Sequence, residues 1–152
     1  MDTVVIDSIG LFLFIAGFVV GLGAVTVIDI HGLLGRRSPY WSEATTRTHK
    51  VTKPLIWVGI MLVIIGALIT YRHLPLTGIP LAHLAIAGVL IVNGAWLSFR
   101  VSPYLIAREK QGKAQEILPE SWQRKIAASF VLSVIGWWGG LALLVYYLVT
   151  TQ

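Results

Sequence analysis

The sequence predicts an all-α protein, a four-helix transmembrane bundle. Three observations support this prediction: four long apolar segments, a composition too apolar for a water-soluble domain, and basic residues concentrated in two of the connections. The chain has 152 residues, of which 56% are hydrophobic and 12% are charged, and its mean hydropathy is +0.78. Because water-soluble domains carry about 25% charged residues, we expect this chain to have lipid as part of its solvent.

The apolar segments have the length of membrane-spanning helices and form one domain, residues 1–152. They cover residues 8–28, 54–71, 81–100 and 126–149. A helix needs about 20 residues to cross about 30 Å of hydrocarbon. Backbone in lipid must satisfy its own hydrogen bonds, so each segment is predicted to be helical. The first segment begins among acidic rather than basic residues, and we therefore expect no cleaved signal peptide.

The basic residues predict the orientation of the chain. Eleven of the twelve follow the first or the third segment, and Arg72 alone lies on the other side. Since Lys and Arg are retained in the cytoplasm during insertion, we predict a multi-pass inner-membrane protein with both termini outside. This topology accounts for the net charge of +5, so we expect a lipid bilayer and no nucleic acid as partner. The chain contains no cysteine, which excludes disulfides and thiolate chemistry.

Small residues in the first and last segments predict close helix packing. Gly17 and Gly21 are four residues apart, as are Gly136 and Gly140. In lipid, such pairs let neighbouring backbones approach each other. The first segment ends at Asp29, whose charge opposes the helix dipole and requires a cation or water.

The first connection is predicted to contain a short helix of its own. Ser38 and Pro39 resemble an N-cap followed by proline in the first helical position, so we expect a surface helix running toward Thr52. The second span would then begin at Pro54, where the missing N–H costs nothing.

The second half of the chain contains further signals. Asn93 lies past the middle of the third segment, where its amide needs a partner, and Ser129 and Ser133 share a face of the fourth. The third helix is predicted to continue inward to Gly112. Pro119 then indicates a new helix start.

A faint repeat suggests two duplicated helical hairpins. A shift of 71 residues places Gly17 on Gly88 and Asp29 on Arg100, with apolar residues between. Parallel hairpins of this kind would place Asp29 and Arg100 at equal depth, where the two could form an ion pair.

The histidines fall into two tiers, which is compatible with haem. His31 and His49 are predicted on the inner side, His73 and His83 on the outer side. Two tiers of paired imidazoles could hold b-type haem across a bundle. The alternatives are interfacial histidines without a ligand, or copper or zinc held by His31, His49 and Asp29, or by Asp7, His73 and His83.

The first hairpin also bears a resemblance to known proteins. A glycine-rich helix runs into Asp29 and a basic loop, followed by Lys53-Pro-Leu-Ile-Trp-Val-Gly59, with Gly66 a heptad later. This pattern resembles uncharacterised bacterial four-helix inner-membrane proteins and, loosely, the copper-resistance D-type membrane domain. The resemblance covers about residues 10–70 and implies a bacterial inner-membrane protein associated with copper or haem.

The sequence contains no nucleophile–base pair, phosphate loop or dinucleotide motif. It therefore predicts a non-enzymatic membrane protein: an accessory subunit that packs against other membrane subunits or a second copy, or a handler of a small ligand or metal. The alternative is a b-type haem electron-transfer protein. The candidate site consists of Asp29, Arg100 and Lys53, with His31 and His49 nearby.

Overall fold

A computed structural model of the protein describes residues 3–151. The helices are α1 (Thr3–Gly35), α2 (Pro39–Thr70), α3 (Gly78–Trp96), a π-helical turn (Leu97–Val101), α4 (Ser102–Lys110) and α5 (Glu120–Thr150). Because α3, the π-turn and α4 are continuous, the described residues form four long helical stretches, each long and apolar enough to cross a membrane. The predicted all-α four-helix bundle is confirmed, and it is compatible with a multi-pass integral membrane protein.

The prediction of a separate surface helix between the first two spans is wrong. Residues 39–52 form the first part of α2, and Pro54 lies inside that helix rather than at its start. Pro54 removes one backbone hydrogen bond from α2. However, α1 packs along both halves of α2. The contact extends to Gly35, where an added Cβ would lie 3.2 Å from the backbone nitrogen of Ser42. Tertiary packing therefore outweighs the local signal for a break at Pro54.

Glycines bring α1 and α2 into backbone contact. A Cβ added to Gly17 would lie 2.5 Å from the backbone nitrogen of Val63, and one added to Gly59 would lie 2.5 Å from the Cα of Gly21. No side chain fits at such distances, so the predicted close packing of Gly17 and Gly21 is confirmed. The contact fixes the relative position of the two helices and of the side chains beyond it.

A polar cluster joins α3 to α5 in the middle of the bundle. The Asn93 amide donates to the Ser129 carbonyl and to Ser133 Oγ, both at 3.2 Å, and Asn93 Oδ1 accepts from Ser129 Oγ at 2.7 Å. All three side chains are buried. The predicted need of Asn93 for a partner is thereby met, and the bonds fix the register of the two helices.

The π-turn has a local cause in Pro103. Proline lacks the N–H that would bond to the Phe99 carbonyl, and its ring would clash with that carbonyl in a regular helix. The chain widens instead, and the Ser102 N–H bonds to the Leu97 carbonyl five residues earlier. The helix then continues to Lys110. Gly112 follows with a positive φ of 72°, as predicted for the stop.

The last helix begins where the sequence predicts. Pro119 stands at the N-cap of α5, and Glu120 occupies the first turn, where the helix dipole favours an acid. Gly136 packs against Leu90, and Gly140 packs against Phe18. These contacts complete the core, which also contains Trp137.

The two helical hairpins are not packed alike. Gly17 contacts the backbone of α2, whereas a Cβ added to Gly88, its counterpart in the repeat, would meet nothing within 4 Å. Asp29 lies against a cavity, whereas Arg100 is exposed. The duplication of the hairpins stays a prediction.

Candidate functional site

A cavity of about 310 Å³ lies between α1, α2, α5 and the π-turn, at the end of the bundle where the long connections meet. Its volume is at the lower end of the range for small-molecule sites, about 300–1,000 Å³. The distribution of basic residues predicts that this end lies inside. The cavity is the structural counterpart of the polar cluster that the sequence indicates.

Four charged or titratable side chains line the cavity: Asp29, Arg36, His49 and Lys53. Asp29 comes from the last third of α1, and His49 and Lys53, one helical turn apart, come from α2. The atoms Asp29 Oδ2 and His49 Nε2 are shielded from solvent, and neither has a hydrogen-bond partner within residues 3–151. Because buried polar atoms are almost always paired, each of these two atoms needs a partner that residues 3–151 do not supply in this arrangement.

Part of the lining is apolar. It includes Trp57, Ile56 and Leu97, and the Trp57 indole N–H donates to Ser98 Oγ at 3.1 Å. Ser98 belongs to the π-turn and is itself buried. Since π-turns often lie at functional sites, the position of this one against the cavity is in keeping with a binding role. Its bond to Trp57 fixes the indole plane.

Part of the apolar lining is exposed. Leu33 on α1 and Val131 on α5 both line the cavity, and 55% of Leu33 and 50% of Val131 are exposed.

The connections close the inner end of the cavity by polar contacts. Arg36 donates to Gln123 Oε1 at 3.5 Å, and Ser42 Oγ donates to the Glu116 carbonyl at 3.1 Å; Arg36, Ser42 and Gln123 line the cavity. Lys50 forms an ion pair with Glu109 at 2.7 Å nearby on the surface. These contacts join Arg36 to α5, Ser42 of α2 to the connection before α5, and Lys50 of α2 to Glu109 of α4.

Arg100 and His31, two of the residues predicted at this site, lie elsewhere. Arg100 is exposed on the π-turn, and no ion pair joins it to Asp29 in the described part of the chain. His31 bonds through Nδ1 to Thr48 Oγ1 at 3.0 Å and packs on Trp41. The structure therefore brings Asp29, His49 and Lys53 together around the cavity and leaves the other two outside it.

His73 and His83, the two histidines predicted on the outer side, differ in burial. His73 is exposed in the turn after α2, whereas His83 is buried among three other helices. His83 Nε2 lies 3.0 Å from the Gly140 carbonyl, and Nδ1 lies 3.0 Å from Tyr71 Oη. Because a carbonyl only accepts, Nε2 carries the proton and the Tyr71 hydroxyl donates to Nδ1.

The structure bears on the two predicted metal sites but does not test the predicted haem ligation. Within residues 3–151 no three His, Asp or Glu side chains form a group that could hold a metal ion, so neither copper triad is assembled. Both ring nitrogens of His83 are hydrogen-bonded in the protein, and a haem iron would have to displace one of these bonds. Haem ligation by His31, His49, His73 and His83 stays a prediction.

Sequence reasoning identified the charged wall of the cavity and missed the apolar one. Trp57 entered only through the resemblance, and Ser98 was not singled out. The sequence feature that could have indicated this pair is Pro103, which follows the third span. Pro103 forces the π-turn, and the π-turn places Ser98 against Trp57.

Comparison with known proteins adds no family to this description. No family model, curated protein or solved structure matches the chain. The resemblance to the copper-resistance D-type membrane domain stays a prediction, and the function has to be argued from the cavity itself.

Proposed function

We propose that this chain is a non-enzymatic inner-membrane protein that binds a small amphipathic molecule in the cavity between α1, α2 and α5. The observation that carries the proposal is the lining of that cavity, which combines Asp29, His49 and Lys53 with the indole of Trp57. A ligand with a polar head would interact with these charged and titratable side chains. Its apolar part would occupy the space beside Trp57.

The topology that we propose places this polar end at the cytoplasmic side. It is supported by the eleven basic residues of the inner connections, and both termini would lie outside. The polar head of the ligand would then lie at the depth of the lipid headgroups. Molecules that partition into the membrane would enter between α1 and α5, beside the exposed side chains of Leu33 and Val131.

Two glycines allow a matched test of the cavity. A Cβ added to Gly32 or to Gly139 meets nothing within 4 Å, so both positions accept a larger side chain, but Gly32 lines the cavity and Gly139 faces outward. Gly32→Phe fills the cavity, and Gly139→Phe is the control. Each variant and the wild type are incorporated in nanodiscs of bacterial lipid extract and examined by native mass spectrometry for bound small molecules.

The proposal predicts a discrete small-molecule adduct on the wild type and on Gly139→Phe, and its loss from Gly32→Phe. Circular dichroism of all three proteins checks that the helical content is unchanged. An adduct that persists on Gly32→Phe, or a wild type that carries none, overturns the proposal.

A further inference from the structure

We infer that the cavity binds a lipid with a negatively charged head group, and that Arg36 and Lys53 hold this head. The inference rests on the proposed function and specifies the class of ligand. It follows from three features of the structure: two cations in the cavity lining without an acidic partner among the described residues, an excess of positive charge around the cavity, and the apolar remainder of the lining.

Arg36 and Lys53 contribute two positive charges to the cavity lining. Within residues 3–151, no carboxylate oxygen lies within 4.0 Å of either cation. Arg36 donates instead to the side-chain amide oxygen of Gln123, at 3.5 Å, and this partner carries no charge. Guanidinium and ammonium groups form their strongest hydrogen bonds with anionic oxygens. An anionic head in the cavity would therefore give both cations the kind of partner that the described chain does not supply.

Asp29 does not neutralise these two charges. It is the one carboxyl group among the described residues that line the cavity, and it forms no ion pair with any residue of the range 3–151. Its Oδ2 atom is buried, so at most one of its two oxygens is accessible to a ligand. The lining therefore carries two positive charges against one negative charge. This excess attracts an anionic head and gives a neutral head no advantage.

The end of the bundle around the cavity has the same excess of positive charge. Eleven of the twelve basic residues lie in or beside the two connections at this end. Each of the four glutamates there forms an ion pair with one of these basic residues. Seven of the eleven are left without such a partner in the described part of the chain. Because basic residues near a membrane surface attract anionic lipids, the cavity lies where such lipids concentrate.

The apolar remainder of the lining favours a lipid over a water-soluble anion. Ile56, Trp57 and Phe130 line the cavity, and a soluble anion would leave their apolar surface uncovered, whereas a lipid brings methylene groups to it. The cavity of about 310 Å³ is small, so it encloses the head group and the first part of a chain. The remainder would lie in the membrane, in contact with the half-exposed side chains of Leu33 and Val131.

Native mass spectrometry of the delipidated full chain in detergent micelles, titrated with single lipids, tests the inference. Dioleoylphosphatidylglycerol and dioleoylphosphatidylcholine have the same chains and differ in the net charge of the head. We expect phosphatidylglycerol to bind about tenfold more tightly, which is the effect of one hydrogen bond to a charged group. Oleate separates the two sources of an anionic head. An affinity equal to that of phosphatidylglycerol assigns the site to any anionic head, and a lower affinity assigns it to a phosphate.

Double variants examine the two cations. Arg36→Gln with Lys53→Gln removes both positive charges from the lining and should abolish the tenfold preference. Arg36→Lys with Lys53→Arg keeps the charges and should retain it. The matched control, Arg47→Gln with Lys50→Gln, removes the same number of charges from cations that already have glutamate partners, and it should also retain the preference. Equal losses in the two glutamine variants would show a general effect of charge and would overturn the inference.

Asp29→Asn distinguishes the cations from the carboxyl group. It removes the one negative charge of the described lining, so the affinity for phosphatidylglycerol should equal that of the wild type or rise. A head that bound through Asp29 would lose affinity instead, and that loss would refute the assignment to Arg36 and Lys53. Asp7→Asn, at the opposite end of α1, is the matched control and should leave the affinities of both phospholipids unchanged.

The outcomes separate this inference from the proposed function. Binding that Gly32→Phe abolishes, but in which the two phospholipids have equal affinity, overturns the class of ligand and leaves the cavity as a binding site. A preference for phosphatidylglycerol that Gly32→Phe leaves intact places the lipid elsewhere on the protein and overturns the inference. If none of the three lipids binds, the inference fails, whereas the proposed function is decided by the adduct from bacterial lipid extract.

Discussion

Replacing Gly59 by alanine should destabilise the bundle, although alanine is the better helix former. The new Cβ would lie 2.5 Å from the Cα of Gly21 and 3.0 Å from the carbonyl oxygen of Gly17, whereas ordinary contacts are 3.4–4 Å. Both obstacles are backbone atoms, which cannot rotate away. The two helices must therefore separate by roughly 1 Å, and a gap of that size forfeits a quarter to a half of each dispersion contact along the interface.

The magnitude follows from two opposing effects. Overpacking costs about 1–3 kcal/mol, and removing a glycine from a helix interior recovers about 1 kcal/mol. Gly139→Ala should recover the helix-propensity gain without the overpacking cost, because its Cβ meets nothing within 4 Å. We therefore expect Gly59→Ala to be less stable than Gly139→Ala by about 1–3 kcal/mol.

Unfolding with increasing SDS in dodecylmaltoside micelles, followed by tryptophan fluorescence, measures this difference. Gly59→Ala should unfold at a lower SDS fraction than the wild type, and Gly139→Ala at the same or a higher fraction. Equal midpoints for the two variants would refute the backbone contact between α1 and α2, and with it the placement of Asp29 relative to His49.

Three further results are expected. Asp29→Leu should raise the stability by about 1–3 kcal/mol in the same SDS titration, because it removes a buried polar atom that has no partner. Tyr71→Phe should lower the stability by a similar amount, about 1–3 kcal/mol, because it leaves His83 Nδ1 buried and unpaired. Since the chain has no cysteine, Gln111→Cys and Thr77→Cys each give a single label, and an impermeant maleimide added to intact cells should modify only Thr77→Cys.

Each of these expectations has a control and a contradicting result. Asp7→Leu breaks an ion pair with Arg72 and should not stabilise, so a loss of stability in Asp29→Leu would show that Asp29 supports the fold. Tyr146→Phe, at an exposed position, should leave the midpoint unchanged; the same loss in both tyrosine variants would contradict the role of His83. Labelling of Gln111→Cys in intact cells would reverse the topology.

The sequence was sufficient for the number of spans and for several contacts between them. Length and hydropathy determine where lipid can be crossed, and Asn93 in a span requires a partner, which Ser129 and Ser133 supply. Gly112 and Pro119 act locally and were therefore predictable. These features depend on the solvent or on neighbouring residues, so a pattern in the chain is enough to indicate them.

Other features depend on contacts between distant residues. The continuity of α2 through Pro54 arises from packing against α1, which no local pattern reports. Asp29, His49 and Lys53 were recognised as a polar group, but their common cavity is formed by α5 and the π-turn as well. The expected ion pair of Asp29 with Arg100 depended on an inferred repeat, and Arg100 is instead exposed on the π-turn.

The central claim is that the cavity beside Trp57 receives a ligand from the membrane. Fluorine NMR of the protein labelled with 5-fluorotryptophan in nanodiscs tests it directly, with Trp57→Phe and Trp138→Phe to assign the two resonances. Trp57 lines the cavity, whereas Trp138 is 55% exposed on the outer surface of α5. A small-molecule extract of bacterial membranes should shift the Trp57 resonance to saturation and leave that of Trp138 in place. An unmoved Trp57 resonance, or equal shifts of both, would contradict the account.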